Sequence, residues 1–292
     1  MKTLIAGAII LLTSFAPVFA GDLKTQILDI KPVNAIEVSS GIEVYISKGK
    51  TDKLKIESNI DKLGNLLIRQ KGGTLILGYQ PGFNRNSKKK DLKTKIYLSS
   101  EEIKSIDASS ASTVSCQGEF QTQNFKASAS SAADIEVFTI EAGNMTVSAS
   151  SAAEIKLNAK AQSIKVSASS AAEIEIKGKY NTVDCDVSSA SEIEMDLSVS
   201  NLTISASSAS DVKVAGECSN FQAKASSGSD IKAARLVADD VKAKASSGSD
   251  ITVHARKYLD ANASSGSRIR CSGNPANRNC NSSGGGSVKI EK

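Results

Sequence analysis

The sequence has no tryptophan and a single histidine, and aromatic residues make up only 4% of its 292 positions. A globular core of this length ordinarily draws on large aromatic volume. The scarcity argues instead for a thin core filled by Ala, Val, Ile and Ser. The lone His254 has no acidic partner at a diagnostic spacing, and no nucleophile elbow surrounds any of the many serines. A Ser-His-Asp triad therefore has no basis in the sequence. No CxxC or Cys/His pattern suggests zinc, the Gly-Gly-x-Gly-x-Asp nonapeptide of calcium-binding solenoids is missing, and nothing implies a cofactor. Past the N-terminus, no apolar run approaches the roughly 18 residues that a membrane helix requires.

The N-terminus itself reads as an export signal over residues 1–20. Lys2 supplies the positive start, Leu4 to Phe15 the short apolar stretch, and Val18-Phe19-Ala20 the small-residue cleavage site before Gly21. With no cysteine just after that point, a lipoprotein route is not expected. The mature chain is expected in the periplasm, on the outer surface or secreted, with no transmembrane segment. From residue 21 onward it carries 35 basic and 31 acidic residues. An excess this small does not point to nucleic acid. The charge is uneven: residues 41–100 hold 13 Lys/Arg against 5 Asp/Glu. The clearest basic feature is the loop Gln80–Asp91, with Arg85, Lys88, Lys89 and Lys90. It is either a contact for anionic envelope glycans or lipid head groups or a plain solvated loop. Export permits disulfides, but five cysteines is an odd number. Cys271 and Cys280 bracket a loop-like segment that a bridge between them would close.

What the sequence does have is a repeat. The motif Ser-Ala-Ser-Ser-Ala-Ala-Glu-Ile recurs, its Ser-Ser pair beginning at Ser109, Ser130, Ser150, Ser169, Ser188, Ser207, Ser226, Ser246, Ser264 and Ser282. Successive spacings are 21, 20, 19, 19, 19, 19, 20, 18 and 18 residues. A short, nearly fixed period marks a solenoid. Within a repeat the period is two: in Val147 to Leu157 the odd positions are apolar or small and the even ones mostly polar, which is strand alternation. Each coil of about 19 residues should stack on the last, and the stack makes the core, since no coil buries its face alone. Ile155 and Ile174 share one phase and should point inward. The third place of the turn is Ala in early repeats and Gly at Gly228, Gly248 and Gly266. Because Ala serves there, the expectation is a corner without positive φ, closed by Ser hydroxyls bonding local backbone.

Residues 34–100 differ. Ile36–Val44 reads as a degenerate first repeat, and strand-like stretches follow at Val44–Ile46, Leu54–Glu57, Leu66–Arg69 and Thr74–Leu77. The expected organisation is a signal peptide (1–20), an N-terminal capping segment (21–100) that covers an exposed solenoid end, and a repeat region with its own C-terminal cap (101–292).

Three places carry a family resemblance: Ile36-Glu-Val-Ser-Ser-Gly-Ile-Glu-Val-Tyr-Ile46 with Leu54–Glu57 and Gly73–Leu77; the Ser-Ser-Ala/Gly-x-Asp/Glu-Ile repeats; and Gly273-Asn-Pro275 leading to Ser283-Gly-Gly-Gly-Ser-Val288. Together they resemble the putative auto-transporter adhesin family with the head GIN domain, over nearly the whole mature chain. The resemblance implies an all-β fold, a right-handed parallel β-helix.

The regular feature most able to carry chemistry is a ladder of acids at one repeat position: Asp134, Glu154, Glu173, Glu192, Asp211, Asp230 and Asp250. Stacked at the inter-strand spacing they would repel one another, with Lys156, Lys213 and Lys232 two residues on to compensate. The ladder is either a weak cation stripe or a solvated face that keeps the array soluble, and its regularity favours the second reading. Outward Ser148, Ser167 and Ser205 would form a hydroxyl-rich surface for a regular polymer such as a glycan, or serve the corners. One dispersed acid per coil does not build an active site. The sequence therefore points to a non-enzymatic, adhesin-like binding protein of the cell envelope or surface, with envelope or host glycans or matrix proteins as candidate partners. The alternatives are a periplasmic structural or envelope-stress scaffold and, behind it, a polysaccharide lyase or hydrolase.

Overall fold

The computed structural model describes residues 19–20, 23–60, 62–83 and 92–291. Apart from Phe19 and Ala20, the expected signal peptide lies outside the described residues, and so does the basic loop of Arg85, Lys88, Lys89 and Lys90. The described chain is a β-solenoid with coils of about 19 residues, as the repeat predicts. Its helical content is a single 3-10 turn, Leu63–Asn65, and among the described residues no helix is long and apolar enough to cross a membrane. The chain divides into two compact units, Met1–Ile140 and Glu141–Lys292.

The first unit contains β1 (Phe19–Ala20), β2 (Leu23–Asp29), β3 (Ala35–Val38), β4 (Glu43–Lys48), β5 (Lys53–Ser58), β6 (Leu66–Lys71), β7 (Thr74–Tyr79), β8 (Thr94–Ser100), β9 (Ser105–Ser109) and β10 (Thr113–Ser130). The degenerate repeat is a true coil: β3 runs parallel to β9 and β4 parallel to β10, with the Ser-Ser-Gly corner between them. On their other side β3 and β4 pair in parallel with β7 and β8. Antiparallel strands then take over: β6 on β7, β5 on β8 and β2 on β5.

The second unit begins within β11 (Asp134–Ser150) and continues through β12 (Glu154–Ser169), β13 (Glu173–Val187), β14 (Glu192–Ala206), β15 (Asp211–Ala225), β16 (Asp230–Ala245) and β17 (Asp250–Ala263). It ends in β18 (Arg268–Ser272), β19 (Asn277–Ser282) and β20 (Ser287–Glu291). From β12 onward every pairing is parallel, and repeat positions stay in register apart from shifts in β15–β16 after Lys213 and in β16–β17 after Ala233 and Ala238. Ile155 pairs with Ile174 and Ile174 with Ile193, all fully buried, which confirms the inward phase. Halfway along each coil the ladder skips one residue, at Gln162, Asn181 and Ser200. There the buried phase slips by one: Ile174, Ile176 and Tyr180 are buried before it, Val183, Cys185 and Val187 after it. This slip is a second corner. Just before it stands Gly178 at φ +140°, where a Cβ would lie 1.7 Å from the Ala159 carbonyl oxygen, so no other residue fits.

The first corner departs from the expectation. The second Ser and the Ala or Gly after it both take left-handed backbone in the coils up to Ser265–Gly266, for example Ser170 (φ 57°) with Ala171 (φ 60°) and Ser247 (φ 52°) with Gly248 (φ 70°), and Gly284 and Gly285 take these places in the last coil. Left-handed backbone costs a non-glycine residue roughly 1–2 kcal/mol. The corner repays this by keeping the ladder unbroken. The third residue's N–H donates to the carbonyl of the second Ser in the following coil, as from Ala171 to Ser189 and from Gly248 to Ser265, both at 3.0 Å. Serine's part is at the fourth position, where Ser191, Ser210, Ser229, Ser249 and Ser267 are buried. The Ser229 hydroxyl accepts from the Ser226 N–H at 3.2 Å and shares its proton between the carbonyls of Ser226 (2.8 Å) and Ala206 (2.9 Å).

Candidate functional site

In the second unit the acidic ladder forms as expected: Glu154, Glu173, Glu192, Asp211, Asp230 and Asp250 follow one another in register, and Arg268 continues the column. Asp134 opens β11 in the first unit. The adjacent outward column supplies counter-charges. Lys156 pairs with Glu154 at 2.5 Å, Lys213 with Glu192, and Lys232 with Asp211, while Arg268 meets Asp250 at 3.1 Å. Lys213 and Lys232 each reach back one coil to do so, and their charges relieve the repulsion that stacking creates. Carboxylates of Glu154 and Glu192 hold the ammonium groups of Lys156 and Lys213 above the usual lysine range through hydrogen bonding and charge. These are half-exposed pairs of small worth.

The outward serines do not make an unbroken hydroxyl ladder. Ser167 stacks on Asp186, which stacks on Ser205, and Lys224, Lys244, Asn262 and Asn281 continue that column. His254 Nδ1 lies 3.1 Å from the Ser272 hydroxyl, but that hydroxyl also bonds the Val253 carbonyl, a structural tie with no acid attached. Cys271 and Cys280 are free thiols, so the bridge expected across their loop is not made. Cys271 is buried above Val253, whereas Cys280 sits exposed on β19 above Ala261.

Two concave surfaces were not read from the sequence. In the first unit, a groove of about 450 Å³ runs beside Tyr45 and Tyr97, over Ser47, Ser99 and Ser115, with Ile27 and Lys53 on its rim. The two rings are in register on β4 and β8 and stack at 5.0 Å. The Tyr45 hydroxyl donates to Glu43 at 2.8 Å and that of Tyr97 to Glu57 at 3.3 Å. Both phenols are raised, Tyr45 chiefly by its bond to Glu43 and Tyr97 chiefly by burial. Lys95 pairs with Glu43 and Lys55 with Glu57 beside the two rings. Aromatic scarcity was the available signal, since Tyr45 and Tyr97 are two of only five tyrosines.

In the second unit, a trough of about 520 Å³ follows the second corner across successive coils. Its floor is Ala142, Ala161, Tyr180, Val199 and Cys218. One bank is the in-register column Lys160, Lys179, Ser198 and Glu217. The other is Gln162, Asn181, Ser200 and Ser219. Burial raises the Cys218 thiol to about 11 and pushes the Tyr180 phenol up as well, so neither is a ready nucleophile.

A family model described as "Putative auto-transporter adhesin, head GIN domain" matches residues 32–178 and 164–275. Among solved structures, a putative adhesin from Parabacteroides merdae ATCC 43184 is 17% identical over 93% of this chain and 97% of its own, with a TM-score of 0.53. A putative adhesin from Parabacteroides distasonis ATCC 8503 is 15% identical over 93% and 98%, with a TM-score of 0.49. A putative lipid binding protein from the same organism is 16% identical over 93% and 98%, with a TM-score of 0.47. Comparison with curated proteins gives no match.

Proposed function

Because this chain belongs to the putative auto-transporter adhesin family with the head GIN domain, we propose that it is a non-enzymatic, adhesin-like binding protein of the cell envelope or surface that makes contact through the sides of its solenoid. One observation carries the reading: the outward chemistry of the second unit is laid out in register, coil after coil. A catalytic site needs different groups converging on one reacting atom. Outward groups spaced one coil apart suit an extended ligand, which can make several weak contacts along the stack and gain from their number. The acidic ladder serves solubility and spacing in this reading, its charges balanced by neighbouring lysines. The test pairs labelling of intact cells by an impermeant reagent with a glycan and matrix-protein screen of purified protein. Labelling together with saturable binding and no polysaccharide turnover is the expected result. Protection from the label, or turnover of a polysaccharide, would overturn it.

A further inference from the structure

We infer that the trough of the second unit is a saccharide subsite for a linear glycan in which uronate residues alternate with uncharged sugars. The inference rests on the binding reading above and names a ligand class for it. Two banks and a floor of different chemistry run side by side along this trough. Lys160 and Lys179 are exposed and stacked in register on neighbouring coils, about 4.8 Å apart in backbone spacing. Among the described residues neither ammonium has a carboxylate within ion-pair distance, although Lys156 and Lys177 in the same coils are paired. Two stacked, unneutralised cations on the wall of a concavity call for an anion small enough to sit between them, and a sugar carboxylate fits.

The opposite bank offers amides and hydroxyls: Gln162, Asn181, Ser200 and Ser219. These are the positions the ladder skips at the second corner. The floor between the banks is small and apolar at Ala142 and Ala161, with Tyr180 and Val199 rising beside them. A pyranose ring presents the same combination, with apolar C–H faces and a rim of hydroxyls.

The ends of the trough set the charge pattern. Glu141 stands at one end, and Glu217 lies two coils beyond Lys179 in the same column. With one carboxylate on the lysine pair, a polymer charged on every residue sets its next carboxylate toward Glu141, whereas an alternating polymer sets uncharged sugars there and over Ser198. The same logic makes phosphate or sulfate alone a poor ligand, since neither uses the floor or the amide bank.

The probes are fluorescent hyaluronan octasaccharide (alternating), oligogalacturonate (a carboxylate on every residue) and cello-oligosaccharide (uncharged), titrated into the purified chain. Hyaluronan octasaccharide should bind best. The double variant Lys160→Gln/Lys179→Gln should weaken it at least tenfold. Lys224 and Lys244 are also stacked in register and unpaired but lie outside the trough, so Lys224→Gln/Lys244→Gln removes the same charge and should leave binding within twofold. Ala161→Gln, which fills the floor, should weaken binding without changing net charge, and denaturant midpoints check that each variant is folded. Equal loss in both lysine double variants, equal binding of oligogalacturonate, or no binding of hyaluronan octasaccharide would overturn the inference. If this probe fails while the glycan and matrix-protein screen still finds a ligand, the binding reading stands without the trough.

Discussion

The two compact units solve the same problem with different materials. Up to Ile140, strands pair in both directions, and the core draws on bulky side chains such as Ile36, Leu54, Leu75, Ile96 and Phe120, all at most 1% exposed. From β12 onward pairing is parallel throughout, and a coil's interior is shared among residues as small as Ala172, Ser191 and Ala223. A core of large side chains gains roughly 25 cal/mol for each Å² of apolar surface removed from water. Small residues gain less each, so the second unit depends more on unbroken backbone ladders and on corners that preserve register. Local damage in the first unit is therefore mainly lost volume, whereas in the second unit it also disturbs the neighbouring coils.

The largest effects should come where charge enters either core. Ile174 is fully buried between Ile155 and Ile193, and Ile174→Asp should cost about 4 kcal/mol or more. Ile96→Asp in the first unit should cost a similar amount. The difference should lie in how far the damage spreads: hydrogen exchange followed by mass spectrometry should show protection lost in the coils on both sides of Ile174. Loss confined to β13 would break the comparison.

Glycine substitutions sharpen it further. Gly178→Ala drives a Cβ into the Ala159 carbonyl of the adjacent coil and should cost on the order of 3 kcal/mol. Gly72→Ala, in the β6–β7 turn at φ +61°, meets nothing within 4 Å and should cost only about 1 kcal/mol or less, the left-handed strain less the chain entropy that alanine saves. Urea midpoints of the two variants give the comparison directly.

Alkaline pH should separate the units as well. Burial raises Cys116 in the first unit to about 12, and in the second unit it raises Cys185, Cys218, Cys271 and Tyr180. The folded protein keeps these protons where the unfolded chain releases them. Stability from these groups is therefore complete below the ordinary thiol pKa of 9.0 and falls as pH rises toward the folded values. Each buried thiol contributes at most about 1.4 kcal/mol per pH unit in that window. The second unit, with more such groups, should lose exchange protection first above pH 9, and Cys185→Ala should delay the loss.

Much of this fold was legible because nine of the ten Ser-Ser pairs keep one register, so the inward phase of Ile155 and Ile174 and the acid column from Glu154 to Asp250 follow from spacing alone; the tenth is one place out, with Ser282 set against Ala263 and not Ser264. The left-handed corner was not legible. Ala171 and the other alanines at this place mask the glycine signal that Gly228, Gly248 and Gly266 carry, and what holds them is a hydrogen bond from the adjacent coil, which a single repeat cannot display. The trough escaped for a related reason. It exists only because the buried phase slips by one at Gln162 and Asn181, which the period-two alternation of a single repeat does not announce. The free thiols of Cys271 and Cys280 show the converse: a loop-like segment between two cysteines says nothing about which coil position each one occupies.

A smaller effect belongs to the buried corner serine. Ser229→Ala removes the acceptor for the Ser226 N–H and should cost roughly 1–2 kcal/mol, read as a lower denaturant midpoint. The matching Ser112→Ala of the first unit removes the acceptor for the Ser109 N–H and should cost about as much, because each hydroxyl also donates to its own turn and to the preceding coil.

The smallest effect tests whether that corner is the one device the two units share. Ala171 is exposed at φ 60°, so Ala171→Gly gives up no burial. It relieves the roughly 1–2 kcal/mol that left-handed backbone costs an alanine, against about 0.5–1 kcal/mol of extra chain entropy that glycine loses on folding. The net should be a stabilisation of under about 1 kcal/mol. Gly248→Ala reverses the exchange at φ 70° with nothing within 4 Å of the new methyl, and should destabilise by a similar amount. The first unit offers the same pair: Ala111→Gly at φ 57° and Gly41→Ala at φ 67°. All four turn residues donate the same inter-coil N–H bond, from Gly41 to Ser110, Ala111 to Ser131, Ala171 to Ser189 and Gly248 to Ser265, so the signs should match across units. Urea midpoints resolve shifts of this size when the four variants are measured beside the parent. Opposite signs in the two units would mean that the corner draws its stability from the surrounding coil and not from its own backbone.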